Sequence, residues 1–550
     1  MKNFLLLTFA ACCLSTFSLP ADAARQDGLD PRPIDSAVDP DIDLFINDWR
    51  KAKSRKLYGS LLVQDILTPL EGGDPLRPKK KGAVLVGITA ISRATLAPGA
   101  KASGRAVSGE RQVFYTASGE GKLVVNGTAY PVRKGTGFTL TPEFDFSIAA
   151  IGSEALIFYV RTEPLPTNYQ PRADVVVVQR FDNDRRIGNH WVHIGNGGPS
   201  GMSLITIAPR TIPHPHSHPA EECWLMVEGE TVLMLGKHLR RMRAGEAYKI
   251  PPTGITPHSN LNVGDEPVQM IFMGPAATGR SPQAEAVDYA MLDNTPFNRT
   301  VEPDIDMFIG DWRDSFPRIM HGNMYFRDLL TAAQGGDALR PTRKGAVLTH
   351  AEAVSYVMLE PGSSAHAVKD ELYGLQQTFV VQSGTGTIVV GNERHDLRKG
   401  MAFLLTPGLD FKLTATGDRY MSFYAISEKI AAGAKPSESL RIVDGRNVDP
   451  ITRSWVNSER TLFVRDDGLA QYRSVNMVEL RAMAMSRPYS AGKDTEEIWI
   501  ATDGDIDVLL GKQLRRLPMG SAYRAPPNGI SAHSNINLSD KTASLLYVVN

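Results

Sequence analysis

A short stretch in the middle of the chain, residues 213–224, combines three histidines with two adjacent carboxylates. Alternate side chains of an extended chain point to the same face. His216, His218 and Glu222 share this parity, so a strand can present all three in one direction, and a proline-rich turn later leads to His258. Three imidazoles and one carboxylate suit one divalent transition metal (Fe, Mn, Ni or Zn) and can leave coordination positions open.

The neighbours of these residues leave alternatives open. His214 has the same parity, so a pair formed by His214 and His216 is a second possible ligand set. Glu221 and Cys223 have the opposite parity, and we expect them to face away from the metal. For Cys223 we favour a small buried wall residue over a redox role. The competing interpretation of the whole stretch is a histidine-rich surface turn.

The spacing of these residues resembles the two sequence motifs of the cupin superfamily. The first motif is carried by His216, His218, Glu222 and Gly229, and the second by Gly245, Pro252, Gly254, His258 and Asn262. Two departures stand out: Arg210 occupies the position of an expected glycine, and the second motif has one extra residue on each side of its Pro-x-Gly turn. The resemblance implies a small β-barrel that holds the metal inside through His216, His218, Glu222 and His258.

An internal repeat divides the chain into two halves, 37–295 and 300–550. Residues 41–50, 72–85 and 235–260 recur as 304–313, 335–348 and 510–535. Short alternating strands punctuated by glycine and proline occur twice in each half. We therefore predict an all-β protein with four cupin-like double-stranded β-helix barrels, arranged as two duplicated bicupin halves. The predicted ranges are barrel A, 37–172; barrel B, 173–295; barrel C, 300–430; and barrel D, 438–550.

A short helix is predicted to lead each half, because Ile42, Phe45, Ile46 and Trp49 recur at helical spacing.

The repeat allows the four barrels to be compared within one sequence. Barrel D retains Glu497 and His533 at the positions of Glu222 and His258. An ungapped alignment then places Tyr489, Ala491 and Lys493 opposite His214, His216 and His218. A charged lysine cannot coordinate a metal, and we expect it to lie beside Glu497 instead. Barrels A and C have Gln112 and Gln377 at the glutamate position. The sequence thus predicts one metal site, in barrel B.

The N-terminus has the pattern of a secretory signal. Residues 1–23 combine Lys2, an apolar stretch and an Ala-x-Ala cleavage site, which predicts a secreted, periplasmic protein; lipoprotein processing at Cys12 is the alternative. Cleavage after Ala23 leaves Cys223 as the single cysteine, so no internal disulfide can form.

The 60 basic and 60 acidic residues balance. We therefore expect a small-molecule substrate, no nucleic-acid partner and no membrane span, with homo-oligomerisation left open.

Two functions remain open at this stage. The first is a metal-dependent enzyme acting on a small carboxylate or carbonyl compound, by lyase or dioxygenase-type chemistry. Residues 218–224 are similar to the His-Pro-Ala-Glu-Glu-x-aromatic core of the cupin lyases that cleave dimethylsulfoniopropionate, which points to metal-assisted elimination. The second is a non-catalytic ligand-binding cupin in which the metal only braces the fold, since one barrel hosts many functions.

Overall fold

The computed structural model describes residues 32–167, 169–178, 188–194, 202–213, 215–218, 220–253, 256–274, 302–368, 374–430 and 439–550. The predicted signal sequence, Cys12, His214 and Gly254 lie outside these residues. The regular elements of the described chain are β-strands, apart from a few short 3-10 turns, and the strands form four pairs of sheets. The predicted all-β class and duplicated barrel arrangement are confirmed.

Each barrel combines a large and a small antiparallel sheet, as alternating apolar and polar residues require when one face is buried. In barrel A the large sheet has the order Val176–Val178, Gly137–Leu140, Glu110–Ser118, Leu156–Pro164, Ala90–Leu96, Leu61–Pro69 and Ser54–Leu57, with Ala83–Leu85 joining in parallel. Its small sheet has the order Lys101–Arg105, Asp145–Ala150, Glu120–Val125 and Thr128–Arg133. In barrel B the large sheet has the order Ile46–Asp48, Glu246–Lys249, Cys223–Glu228, Val268–Met273, Met202–Ile207 and Gly188–Ile194, and the small sheet His238–Arg243, Glu230–Leu235 and His258–Leu261.

The second half repeats this plan. In barrel C the large sheet has the order Arg318–Met320, Met324–Ala332, Ala351–Leu359, Met421–Lys429, Leu375–Ser383, Met401–Leu405 and Arg441–Asp444, with Ala346–Leu348 joining in parallel, and the small sheet Ser364–His366, Phe411–Ala415, Thr385–Val390 and Glu393–Arg398. In barrel D the large sheet has the order Ile309–Asp311, Ser521–Arg524, Glu497–Asp503, Ala543–Val549, Ser474–Leu480 and Asn457–Val464. Its small sheet has the order Ala484–Met485, Ala532–Asn537, Ile506–Leu510 and Gln513–Leu517, with Tyr489–Ser490 beside Ala532–Asn537.

The segments that lead the two halves differ from the predicted helices. The first consists of two 3-10 turns, Ile42–Phe45 and Trp49–Lys51, on either side of the strand Ile46–Asp48. Asp41 and Asp48 cap the turns by accepting hydrogen bonds from backbone amides two residues later. The second leader repeats this plan with 3-10 turns at Ile305–Phe308 and Trp312–Asp314, and two further turns lie at Gly445–Asn447 and Arg465–Asp467. The helical spacing was misleading, because a tight turn buries Ile42 and Phe45 while a strand carries Ile46.

The two barrels of each half exchange edge strands. Ile46–Asp48, from the predicted range of barrel A, pairs with Glu246–Lys249 of barrel B. Val176–Val178, from the predicted range of barrel B, pairs with Gly137–Leu140 of barrel A. Barrels C and D are related in the same way through Ile309–Asp311 and Arg441–Asp444. Strand pairings therefore cross the predicted domain boundaries, which stay predictions.

Shared hydrophobic cores place the four barrels in the order A, B, D, C. One core joins barrels A and B, with Tyr115 and Ile271 among its members. An equivalent core joins barrels C and D. A third joins the small sheet of barrel B to barrel D, through Met234 and Leu514 among others. The metal-ligand candidates thus belong to an inner barrel. No helix in the described residues is both long and apolar enough to cross a membrane.

Candidate metal centre

Two backbone hydrogen bonds bring the two halves of the predicted ligand set together. The His216 amide donates to the His258 carbonyl at 3.3 Å, and the His258 amide donates to the His216 carbonyl at 2.8 Å. His258 opens the strand His258–Leu261, while Glu222 directly precedes Cys223–Glu228. His218 lies two residues after His216, so its side chain points to the same side of the chain as that of His216. The backbone at His258 therefore lies beside the backbone at His216.

The ligand atoms of His216, His218, Glu222 and His258 all lie within 4.8 Å of one another. The Nε2 atom of His218 is 2.9 Å from Oε2 of Glu222, and the Nε2 atom of His258 is 3.2 Å from Oε1. Glu222 and His258 are buried, whereas His216 and His218 are partly exposed. The four side chains singled out from the sequence converge on one point that is closed on one side and open on the other.

The electrostatics of this cluster favour the protonation states that a metal requires. Burial, followed by the nearby His216, lowers the pKa of His258 to about 4, so its imidazole is neutral at pH 7. Burial alone would raise the pKa of Glu222, but hydrogen bonds from His218 and His258 outweigh it and hold this pKa well below its usual range. Neutral imidazole and ionised carboxylate are the forms that coordinate a divalent ion. The donor set therefore fits a transition metal.

Trp224 is a functional candidate that the sequence interpretation left unassigned. Its indole Nε1 donates a hydrogen bond to Oε1 of Glu222 at 2.5 Å. This bond leaves the carboxylate little freedom to rotate away from the histidines, which is the usual task of a group placed behind a metal ligand. The sequence could have indicated this contact, because Trp224 follows Glu222 by two residues and so lies on the same face of an extended strand.

Glu221 and Cys223 face away from the histidines, as their parity predicts. Glu221 accepts hydrogen bonds from the backbone amides of Val86 and Gly87 in barrel A, each at 2.7 Å, and lies 3.7 Å from Lys249. Cys223 is fully buried, and burial raises the pKa of its thiol well above the ordinary value. The thiol therefore stays protonated, which agrees with a wall residue and disfavours a reactive thiolate.

The basic cluster 237–241 connects parts of the molecule. Lys237 pairs with Asp39 at 3.0 Å, and Arg240 pairs with Asp43 at 2.6 Å. Arg241 reaches barrel D, where it donates to the Leu538 carbonyl at 3.0 Å. These cations are engaged with the N-terminal leader and the neighbouring barrel rather than with the metal-site candidates.

Arg210, the departure from the expected glycine, keeps the backbone conformation that glycine would favour. Its φ is 54°, in the left-handed region. Met483 of barrel D lies six residues before Tyr489, as Arg210 lies six residues before His216, and its φ is 47°. Arg210 pairs with Asp265 at 2.9 Å, and its carbonyl accepts a hydrogen bond from the Leu514 amide at 2.8 Å. The position thus serves the contact between barrels B and D.

Barrel D corrects the ungapped alignment. Tyr489 pairs with His533 across two strands, as His216 pairs with His258 in barrel B. The ring centroids are 4.3 Å apart in barrel D and 4.1 Å apart in barrel B. Tyr489 therefore matches His216 rather than His214. It lies eight residues before Glu497, whereas His216 lies six before Glu222, so barrel D has two extra residues in this loop.

The expected role of Lys493 was also wrong. Lys493 is exposed and forms no ion pair with Glu497 within the described chain. The phenol of Tyr489 instead donates to Oε2 of Glu497 at 2.5 Å, and Nε2 of His533 lies 3.1 Å from the same oxygen. A neutral phenol has replaced an imidazole ligand.

Barrels A and C fill the same place with neutral pairs. In barrel A, Tyr58 donates to the side-chain oxygen of Gln112 at 2.7 Å. In barrel C, Nε2 of His321 lies 2.7 Å from Oε1 of Gln377, and the amide nitrogen of Gln377 donates to the Ser427 hydroxyl at 3.0 Å. Within the described residues, only barrel B brings together three or more histidine, cysteine or acidic side chains suited to a metal.

The family model for the cupin domain matches residues 203–274 and 355–427. The chain contains two cupin domains. The first match lies in barrel B and includes the four ligand candidates, and the second lies in barrel C. The barrels on either side repeat the same two-sheet plan, so the duplicated cupin arrangement extends beyond the matched segments. No curated protein sequence matches the chain.

Several solved cupin structures are similar in outline. A variant of oxalate decarboxylase from Bacillus subtilis has 11% identity and a TM-score of 0.34, covering 46% of this chain and 79% of its own. The formate complex of oxalate decarboxylase from Lactobacillus farciminis has 12% identity and a TM-score of 0.34, covering 47% and 87%. Vicilin from Corylus avellana has 12% identity and a TM-score of 0.34, covering 44% and 85%. Likenesses this distant do not bear on function.

Proposed function

We propose that this protein is a metal-dependent cupin enzyme that acts on a small carboxylate or carbonyl compound. His216, His218, Glu222 and His258 would hold one divalent transition metal in barrel B, and the reaction would be of lyase or dioxygenase type. The convergence of these four ligand atoms within 4.8 Å carries the proposal. Three nitrogens and one oxygen leave positions for a substrate in the six-coordinate geometry open to iron, manganese and nickel, whereas zinc would have to expand beyond its usual four ligands.

A metal bound here would polarise a carboxylate or carbonyl oxygen and lower the pKa of a bound water. The chain's own residues prepare the site for it. Glu222 supplies one negative charge, and burial keeps His258 neutral. With three neutral imidazoles, a divalent ion would retain one net positive charge, which favours an anionic substrate. The partly exposed His216 and His218 mark the side from which substrate would enter, while Trp224 holds the carboxylate from behind.

Barrel D argues against a purely bracing metal. It has the same two-sheet plan and keeps Glu497 and His533, but Tyr489 completes its cluster through a hydrogen bond. A cupin barrel of this chain can therefore pack with its buried carboxylate hydrogen-bonded by a phenol. Because the fold is available without a metal, three histidines in barrel B are better accounted for by chemistry than by support.

The decisive experiment is metal analysis of the purified chain by mass spectrometry, followed by His216→Ala and His218→Ala. We expect about one transition metal per chain, lost in both variants, and unfolding temperatures of both variants close to that of the chelator-treated parent. Oxygen uptake and product formation would then be measured against a panel of small carboxylates. A collapse of stability together with metal loss would favour bracing, and a wild-type chain that binds no transition metal would overturn the proposal.

We further propose that residues 1–23 direct export to the periplasm, on the pattern of Lys2, an apolar stretch and Ala21-Asp22-Ala23. Mass determination of the mature N-terminus checks this. Cleavage after Ala23 would support export as a free protein, whereas a lipid-modified Cys12 would favour anchoring. An intact Met1 in the mature protein would contradict both.

A further inference from the structure

Barrel C has a cavity of about 600 Å³, lined by none of the metal-site candidates. It reaches Ser427, which accepts a hydrogen bond from the buried Gln377. Gln377 stands where barrel B has Glu222. The cavity therefore leads toward the place in barrel C that corresponds to the metal centre, and its volume is within the range typical of small-molecule sites.

The mouth of this cavity has more positive than negative charges. Its lining includes three cations and two carboxylates, namely Arg318, Arg343, Lys429, Asp328 and Glu352. Arg318 pairs with Asp328 at 3.1 Å, and Lys429 pairs with Glu352 at 3.1 Å.

Of the three cations in this lining, Arg343 is the one without an ion-pair partner in the described chain. Its guanidinium donates to the Thr331 hydroxyl at 3.0 Å, and no carboxylate of the described chain lies within ion-pair distance of it. The Thr331 contact anchors the side chain and leaves other N–H groups of the guanidinium for a ligand.

Barrel A provides an internal comparison, because the repeat matches its residues one by one. Arg55 and Asp65 form the same pair there at 2.9 Å. Lys80 takes the position of Arg343, but it pairs with Glu71 at 2.9 Å. Barrel C has Gln334 at the position of Glu71, and Leu375 at the position of the acidic Glu110. Two carboxylates of barrel A are thus replaced by neutral residues in barrel C, and these changes reverse the sign of the local charge.

We propose that the mouth of barrel C binds a small organic molecule through an oxyanion group, with Arg343 as the principal partner. The planar guanidinium matches the two oxygens of a carboxylate or phosphate, and Lys429 and Arg318 add positive potential around it. The remainder of the ligand would occupy the cavity toward Ser427. This site would operate without a metal, and it does not rest on the activity proposed for barrel B.

Calorimetric titration of the full chain tests the proposal. Carrying His216→Ala and His218→Ala in the parent protein removes the metal centre as a competing anion site. Succinate and inorganic phosphate are the probes, at constant ionic strength, and they separate a carboxylate from a phosphate preference. We expect saturable binding of at least one probe, weakened about tenfold or more by Arg343→Gln.

Two further variants sharpen the result. Gln334→Glu should weaken binding to a similar extent, because it gives Arg343 the carboxylate partner that Lys80 has in barrel A. The matched Lys80→Gln should leave binding unchanged. Each variant is checked for an unfolding temperature equal to that of the parent. The proposal is overturned if neither probe binds, if Arg343→Gln binds as tightly as the parent, or if Lys80→Gln weakens binding equally.

Discussion

Barrels B and D place a glutamate and a histidine at matching positions of the same fold, but they complete the cluster differently. In barrel B, His216 and His218 join Glu222 and His258. In barrel D, the phenol of Tyr489 donates to Glu497 and leaves no comparable set of imidazoles. The comparison separates what the fold needs from what chemistry needs. The fold needs the buried carboxylate to be hydrogen-bonded, and either residue type can do that.

The largest expected effect comes from removing the carboxylate itself. Glu222→Gln deletes the one negative charge among the four ligand candidates, and we expect metal affinity to fall by at least about 100-fold. The matched Glu497→Gln in barrel D should leave the metal content unchanged. Metal-to-protein ratios after dialysis against a weak chelator provide the measurement. Equal metal loss in both variants would mean that the two barrels do not differ as described.

The pH dependence of stability should report the buried imidazole of barrel B. The folded pKa of His258 is about 4, below the ordinary value of 6.5. The unfolded chain therefore binds a proton in a range where the folded chain does not, and stability falls as pH drops from about 6.5 toward 4. Between pH 7 and 5 the free energy of unfolding of the metal-free chain should therefore fall by about 2 kcal/mol.

Urea unfolding of chelator-treated protein at pH 7 and 5 measures this dependence. His258→Gln should remove that part of the dependence, because a glutamine does not titrate. The pKa of Glu222 is lowered as well, so this carboxylate stays ionised in the folded chain across the window, and its own loss of stability on acidification falls mainly below pH 5. An unaltered pH dependence in the variant would place the titrating group elsewhere.

A smaller effect is expected for the indole behind the carboxylate. Trp224→Phe removes the hydrogen bond to Glu222 while keeping an aromatic ring, and metal affinity should fall by about 10-fold to 100-fold. Trp499 is the matched residue in barrel D, and its indole nitrogen has no hydrogen-bond partner within the described chain. Trp499→Phe should therefore leave metal affinity unchanged. Competition with a coloured chelator reports both, and comparable losses would rule out a specific role for Trp224.

The smallest expected effect is a gain of metal binding by barrel D. Tyr489→His gives barrel D a third ligand of the type found in barrel B, at a position that pairs with His533 as His216 pairs with His258. We expect weak binding of a second metal, in the micromolar to millimolar range, since the fourth ligand is missing. Titration with Zn²⁺ under conditions that saturate barrel B would detect it. The parent chain, in which the phenol of Tyr489 completes the cluster, should bind no second metal under the same conditions.

The sequence predicted the barrel class and the convergence of four side chains because both depend on short-range patterns. Parity aligned His216, His218 and Glu222, and a turn of prolines returned the chain at His258. Tyr489 was placed wrongly because an insertion in a loop leaves no trace in an ungapped comparison. The strand exchange was also missed, since the pairing of Ile46–Asp48 with Glu246–Lys249 joins segments about 200 residues apart. Contacts at that distance depend on tertiary packing rather than on local preference.

The crossing of Ile46–Asp48 into the neighbouring barrel has a consequence for how such a chain can change over time. A gene fragment that ends between the two barrels of a half would leave one of them short of a strand and expose an unpaired backbone edge. Copying or deleting a single barrel would therefore be penalised, whereas copying a pair would not. The two barrels of a half therefore form one structural unit, in which a barrel that lacks the metal-ligand candidates still supplies an edge strand to the barrel that has them.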